Sequence, residues 1–143
     1  MTVAAILSGK GRGVTTAAID TTIREAVHIL AERRIGALVV VDASRRIIGI
    51  VSERDIVRAL DRFGTEALDG QVASIMTARV VTCSETDTIN HVMERMTEGR
   101  FRHLPVVEEG RLAGIVSIGD VVKARIQQVE REAEEMRAYI AMA

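Results

Sequence analysis

One cysteine, Cys83, is all the thiol that this chain of 143 residues holds. That excludes an intramolecular disulfide and a multi-cysteine zinc cluster. Aromatic side chains are nearly as scarce: Phe63, Phe101 and Tyr139 are the only ones, too few for platforms on which nucleic-acid bases stack. An excess of charge is missing as well. The formal net charge is -1, so there is no overall basic field to hold a nucleic-acid backbone. No apolar run approaches the roughly 20 residues of a membrane-spanning helix. The apolar stretch Val3 to Leu7 is too short for a signal-peptide core, and a basic, glycine-rich segment follows it. Cytoplasm is the expected location, with neither nucleic acid nor membrane as partner. What is present, 48% hydrophobic and 27% charged residues, describes a globular chain with a core, about the size of one ordinary domain.

The chain repeats itself, and that is its most informative property. Thr16 to Val41 aligns with Thr82 to Val107, and Arg46 to Ala59 aligns with Arg111 to Ala124 after one deletion in the turn. Thr16/Thr82, Thr22/Thr88, Ile23/Ile89, Leu38/Leu104, Val40/Val106, Gly49/Gly114, Ser52/Ser117 and Asp55/Asp120 are identical pairs. The preceding segments rhyme too, Val3, Ile6 and Leu7 against Val72, Ile75 and Met76, each at helical spacing.

Within each copy, Ile23, Ala26, Val27 and Leu30 (Ile89, Val92, Met93 and Met96) mark one helical face. Thr22-Ile23-Arg24-Glu25 reads as a capping box that starts the first helix. A continuous apolar strand follows, Ala37 to Val41 or Leu104 to Val107. Turn residues then lead to a second strand, Ile47 to Ser52 or Leu112 to Ser117, and a closing helix. With a short early strand near Val14 to Thr16 or Val80 to Thr82, the repeat is β-α-β-β-α, an α/β (α+β) fold. A unit of about 60 residues buries too little surface alone. Two copies packed sheet to sheet with pseudo-two-fold symmetry answer that. The expected boundaries are a first domain at 1-61, a linker at 62-70 bounded by glycines, a second domain at 71-125 and a C-terminal amphipathic helix at 126-143. On that helix Val122, Ile126, Val129, Ala133, Met136 and Ile140 form a coiled-coil-like stripe. Such a narrow stripe more often meets another helix than folds back, which favours a homodimer.

The pattern of an early threonine, an apolar middle strand and a closing Gly-Ile-Val-Ser-x-x-Asp in both copies, with Arg102-His103-Leu104-Pro105-Val106-Val107 in the second, resembles a tandem pair of cystathionine-β-synthase (CBS) domains. This arrangement, a Bateman module, is here similar to the stand-alone bacterial type, and the resemblance spans roughly Val3 to Arg125. It implies binding of an adenosine-containing ligand in the cleft between the two domains: AMP, ADP, ATP, NAD(H) or S-adenosylmethionine. It also implies which residues do so. The closing aspartate receives the ribose hydroxyls, and the early threonine and its neighbours address the adenine. One site would use Thr16, Ala17, Gly36 and Ala37 with Ser117 and Asp120. The other would use Thr82, Cys83, Arg102 and His103 with Ser52, Arg54 and Asp55. Output would pass to an effector protein in trans. Ala18 to Asp20, where many members carry a proline before the helix, departs from the pattern.

The two sets differ in charge. Phosphate needs cations or backbone donors, which Arg54, Arg102 and His103 offer to the second set, whereas the first has Gly119, Gly36 and Ala37 at the matching positions. The second is therefore expected to hold phosphorylated ligands more tightly. Each Ser-x-x-Asp also suits a helix N-cap, and one residue can do both. Arg100, Arg102 and His103 also suit a solvated surface cluster. His28 and His91 fall away from the apolar faces and are expected in solvent. Ser8-Gly9-Lys10-Gly11-Arg12-Gly13 lacks phosphate-loop spacing and a preceding strand. It reads as a flexible basic loop, with Lys10 or Arg12 as an outside candidate for a second phosphate. No nucleophile-base-orienter set and no metal-ligand spacing is readable, so the expectation is a non-enzymatic sensor that needs no metal. The alternative is a ligand-independent homodimeric scaffold.

Overall fold

The computed structural model describes Met1 to Met142 in two compact units. Ala143, the last residue of the expected C-terminal helix, lies outside the described residues. In chain order come α1 (Val3–Lys10), β1 (Thr16–Ala17), α2 (Ile23–Arg33), β2 (Ala37–Val41), β3 (Ile47–Ser52) and α3 (Glu53–Phe63). Then follow α4 (Ile89–Gly99), β4 (His103–Glu108), β5 (Arg111–Ser117) and α5 (Ile118–Met142).

The first-repeat unit comprises Gly13–Val81 and Glu108–Ala113. Its sheet has the order β1-β2-β3, β1 parallel and β3 antiparallel to β2. Central β2 is a run of β-branched and aliphatic residues, as a strand buried on both faces requires. The Asp42 carboxylate turns the chain into β3 by accepting from Ser44 N–H and Arg46 N–H, both at 2.9 Å. Helix α2 begins at the capping box read from the sequence: Thr22 Oγ1 accepts from Glu25 N–H at 3.1 Å, and Glu25 accepts from Thr22 N–H at 3.2 Å. Ile23, Ala26 and Leu30 enter the core, while Val27 remains 37% exposed at the margin of the stripe.

The second-repeat unit comprises Met1–Arg12, Thr82–Val107 and the chain from Gly114 on. Helix α4 presents Ile89, Val92 and Met96 to a core that also holds Leu104, Val106, Val116 and Val121. Strands β4 and β5 meet through a two-residue turn in which Glu109 and Gly110 both have positive φ, 50° and 77°, the geometry that matches strand twist. The early strand is shorter than the sequence pattern predicts. In this copy it is a single bridge, Cys83 to Val106.

The segment 62-70, expected as the linker, is itself structured: α3 runs to Phe63, and Gly64–Asp69 forms a 3-10 helix. Leu68 packs on the core, the Gly70 carbonyl accepts from Ile23 N–H at 2.8 Å, and Arg24 pairs with Asp69 at 3.1 Å. The closing helix of the second repeat and the C-terminal helix are one unbroken α5 of 25 residues. The segments that precede the repeats are exchanged. Val3 and Leu7 of α1 are fully buried in the core of the second repeat, and Val72, with Ile75 and Met76, packs into that of the first.

That exchange accounts for one matched pair of glycines. A Cβ on Gly114 would sit 2.9 Å from both Leu7 Cδ atoms, and one on Gly49 would overlap Met76 Sδ. Each glycine is the seat on its strand for an apolar side chain of the exchanged segment.

Candidate functional site

In the first-repeat unit, Thr16 and Ala17 pair with Val39 and Val40. Ala37 pairs with Ser52, and the Gly36 carbonyl accepts from Glu53 N–H at 3.0 Å. The entrance of the middle strand therefore lies against the closing motif of its own repeat. There Ser52 and Asp55 form a reciprocal box at the start of α3. The Asp55 carboxylate accepts from Ser52 N–H at 2.8 Å and from its hydroxyl at 3.1 Å, and Ser52 Oγ accepts from Asp55 N–H at 3.4 Å. Both residues are half-buried, and Arg54 between them is exposed.

The second-repeat unit repeats this plan. The Arg102 carbonyl accepts from Ile118 N–H at 2.8 Å, as Gly36 does from Glu53. Arg102 is exposed and His103 half-buried at the head of β4. The Thr82 carbonyl accepts from Arg95 Nη1 at 2.7 Å. Cys83 N–H donates to Pro105 O and Cys83 O accepts from Val107 N–H, at 3.0 and 2.8 Å, so both its main-chain polar groups serve the sheet. Its thiol faces the apolar core, and burial, reinforced by the Asp87 carboxylate and opposed by Arg95, pushes it up to about 12. That is an inert thiol.

Asp120 has a cation on it. Its Oδ2 accepts from Ser117 N–H at 2.8 Å, while Ser117 Oγ accepts from Asp120 N–H at 3.1 Å. The same Oδ2 accepts from Lys10 Nζ at 2.7 Å, and Lys10 also donates to the Ile115 carbonyl at 3.0 Å. Partial burial by itself would raise the carboxyl, but Lys10 and the Ser117 donors outweigh it and hold the group below the usual aspartate value. The corresponding carbonyl in the first repeat, Ile50 O, is satisfied by Thr77 N–H at 2.9 Å. An ammonium on a flexible stem stands in one repeat where a main-chain amide stands in the other.

The structure joins candidate residues repeat by repeat: Gly36 and Ala37 with Ser52 and Asp55, and Arg102 with Ser117 and Asp120 through the turn into α5. Beside Asp120, whose set has Gly119, Gly36 and Ala37 where the other has basic residues, the structure places the Lys10 ammonium. The sequence signal for Lys10 was the helical rhyme of Val3, Ile6 and Leu7. That rhyme fixes Lys10 at the last turn of a packed helix rather than in a flexible loop. His28 is exposed and lies 3.3 Å from Glu32, and His91 is exposed. Chemically, each repeat offers one partly accessible carboxylate at a helix N-terminus, a suitable acceptor for a vicinal diol. Among the described residues no group of three or more His, Cys, Asp or Glu is placed to hold a metal ion. No helix among them is long and apolar enough to cross a membrane.

Comparison with known proteins agrees with this duplicated architecture. The family model for the CBS domain matches residues 11–62 and 72–127. The chain belongs to the CBS-domain family, and specifically carries a pair of such domains. It is similar to the CBS-domain containing protein ATU1752 from Agrobacterium tumefaciens, at 50% identity and a TM-score of 0.85, over 87% of this chain and 99% of that one. It resembles PAE2072 from Pyrobaculum aerophilum, solved complexed with AMP, at 32% identity and a TM-score of 0.75, over 84% and 89% of the two chains. The CBS domain pair of MJ0100, solved with 5-methylthioadenosine and S-adenosyl-L-methionine, is 29% identical with a TM-score of 0.80, over 90% and 98%.

Proposed function

We propose that this CBS pair is a non-catalytic sensor of adenosine-containing ligands, AMP, ADP, ATP or NAD(H), whose bound state is read by an effector protein. The observation that carries it is the pair of Ser-x-x-Asp boxes. Each holds a half-buried carboxylate at a helix N-terminus, in a chain whose relatives were solved with AMP and with S-adenosylmethionine. Asp55 and Asp120 receive ribose hydroxyls, with Ser52 and Ser117 fixing them. Arg54, Arg102 and His103 form the basic surroundings for phosphate. Thr16, Ala17, Gly36, Ala37 and Thr82 line the adenine, while Cys83, its thiol in the core and its main-chain groups in the sheet, anchors Thr82 from beneath. Binding favours one conformation over another, and that difference in free energy is the signal. S-adenosylmethionine is the alternative ligand, which the MJ0100 complex favours.

Thermal unfolding with AMP, ATP, NADH and S-adenosylmethionine tests the reading. A ligand at 100 times its dissociation constant adds about 2.7 kcal/mol. Stabilisation by an adenosine compound, lost in Asp55→Ala, Asp120→Ala chains, is the expected result. A flat response to all four leaves the scaffold reading in its place.

The scaffold reading has its own observation. Val122, Ile126, Val129, Met136 and Ile140 along α5 are all exposed, and the stripe starts in a shallow groove lined by Ile118, Val122 and Ile126. We propose that a second copy of the chain covers it, a homodimer compatible with either function. In heptad order Arg125 and Glu132 flank the stripe on one side, and Glu130 and Arg137 on the other. A parallel pair of helices sets Arg125 against Glu130 of the partner subunit and Glu132 against Arg137 of the partner subunit, opposite charges in both cases.

A further inference from the structure

The basic segment Ser8 to Gly13, which begins in the last turn of α1, plays no part in the function proposed so far, yet its lysine touches the carboxylate on which that function depends. Lys10 ends α1, where Gly11 N–H donates to Leu7 O at 2.7 Å and Gly11 adopts φ 99°. Its main chain is thus anchored, while its side chain is 34% exposed and reaches Asp120 and the Ile115 carbonyl. A carboxylate that accepts a cation has that acceptor capacity committed, so a diol arriving at Asp120 must share it or displace the ammonium. The displaced ammonium does not leave the site. Its four-carbon stem pivots about a fixed helix end. The vicinal diol and the 5′-phosphate of a nucleotide lie at opposite ends of one sugar ring, within the sweep of such a stem.

Resting on the nucleotide-sensing reading above, we propose that Lys10 is the phosphate-selecting residue of the Asp120 site. It neutralises Asp120 in the empty protein and transfers to the 5′-phosphate when ribose hydroxyls take its place on the carboxylate. A neutral nucleoside gains nothing from the exchange, because it strips Lys10 of a partner and gives none back. A nucleoside monophosphate replaces one charge-assisted hydrogen bond with another. Lys10 thereby turns an adenosine site into an adenylate site. The Asp55 box has no equivalent on the matching carbonyl, where Thr77 N–H is a main-chain donor that cannot swing.

Calorimetry with AMP and with adenosine on the full chain in an Asp55→Ala background isolates the Asp120 site. There, Lys10→Met is expected to shrink the ratio of AMP to adenosine affinity by about tenfold to a hundredfold, the worth of one hydrogen bond between charged groups, mainly because adenosine no longer has to displace the ammonium. Adenosine is expected to bind tighter with AMP little changed, and Lys10→Arg to restore most of the ratio. An AMP-to-adenosine ratio that Lys10→Met leaves unmoved overturns the proposal, whether both affinities fall together (a mere clip between α1 and β5) or neither falls. If the chain with Lys10 intact binds neither compound, in this background and without the Asp55 change, the sensing reading itself is overturned. Denaturation midpoints of both variants, compared with the parent, establish that a change in ratio comes from folded protein.

Discussion

Single side chains in this protein are governed by whether their partners are near or far in sequence. Thr22 with Glu25, Ser52 with Asp55 and Ser117 with Asp120 are contacts across one helical turn, and each is readable from spacing and residue type. Lys10 and Asp120 are 110 residues apart, and nothing local records that they meet. Cys83 is intermediate: its burial follows from the apolar segment around it, but its depth depends on Val3 and Leu7 arriving from elsewhere. Its titration has a measurable consequence. Desolvation raises the thiol from 9.0 to about 12, so the folded chain keeps the proton that the unfolded chain releases. The resulting contribution is intact below about pH 9 and is lost as pH rises through about 12. Between pH 8 and 10.5 the native protein should lose about 2 kcal/mol that a Cys83→Ala chain does not. Urea titrations at the two pH values measure it, and parallel losses in both chains would count against a desolvated thiol.

Among the elements, the helices and the middle strands were legible because period and caps act within the element. Helix α5 shows the limit. Its stripe was visible, but periodicity alone could not say whether the stripe faced its own domain. The fold answers that Val121 and Ala124 are buried while everything from Val129 to Met142 is exposed. A helical half bare on all sides draws little stability from its own short length, and the proposed dimer pairing would supply what it lacks. On the proposed pairing, the full chain should sediment as a dimer and truncation after Arg125 should leave a monomer, without changing the unfolding free energy of the remaining chain by more than about 0.5 kcal/mol. A truncated chain that still sediments as a dimer would place the interface elsewhere.

For the molecule as a whole, the exchange of α1 and the Val72 to Met76 segment sets which parts stand or fall together. Val3 and Leu7 are fully buried in the second-repeat core, and losing two such side chains removes about 3–6 kcal/mol of burial. That is comparable with the whole stability of a small domain. Deleting residues 1–10 should strip hydrogen-exchange protection from β5 and α4 while amides paired between β2 and β3 keep theirs. Uniform loss across both repeats, or none, would contradict the assignment of α1 to the second-repeat unit.

The sequence by itself determined the duplication, the α/β class, the order of elements in each repeat, the caps and the two aspartates. These are properties of periodicity and of contacts three or four residues apart, and two copies of the same pattern reinforce each other. Only the tertiary structure decided that the segment before one repeat completes the other, that Gly49 and Gly114 are seats for Met76 and Leu7, and that Lys10 sits on Asp120. Each of those depends on where a distant part of the chain comes to rest. Packing selects that place from the whole molecule, and no local pattern of residues encodes it.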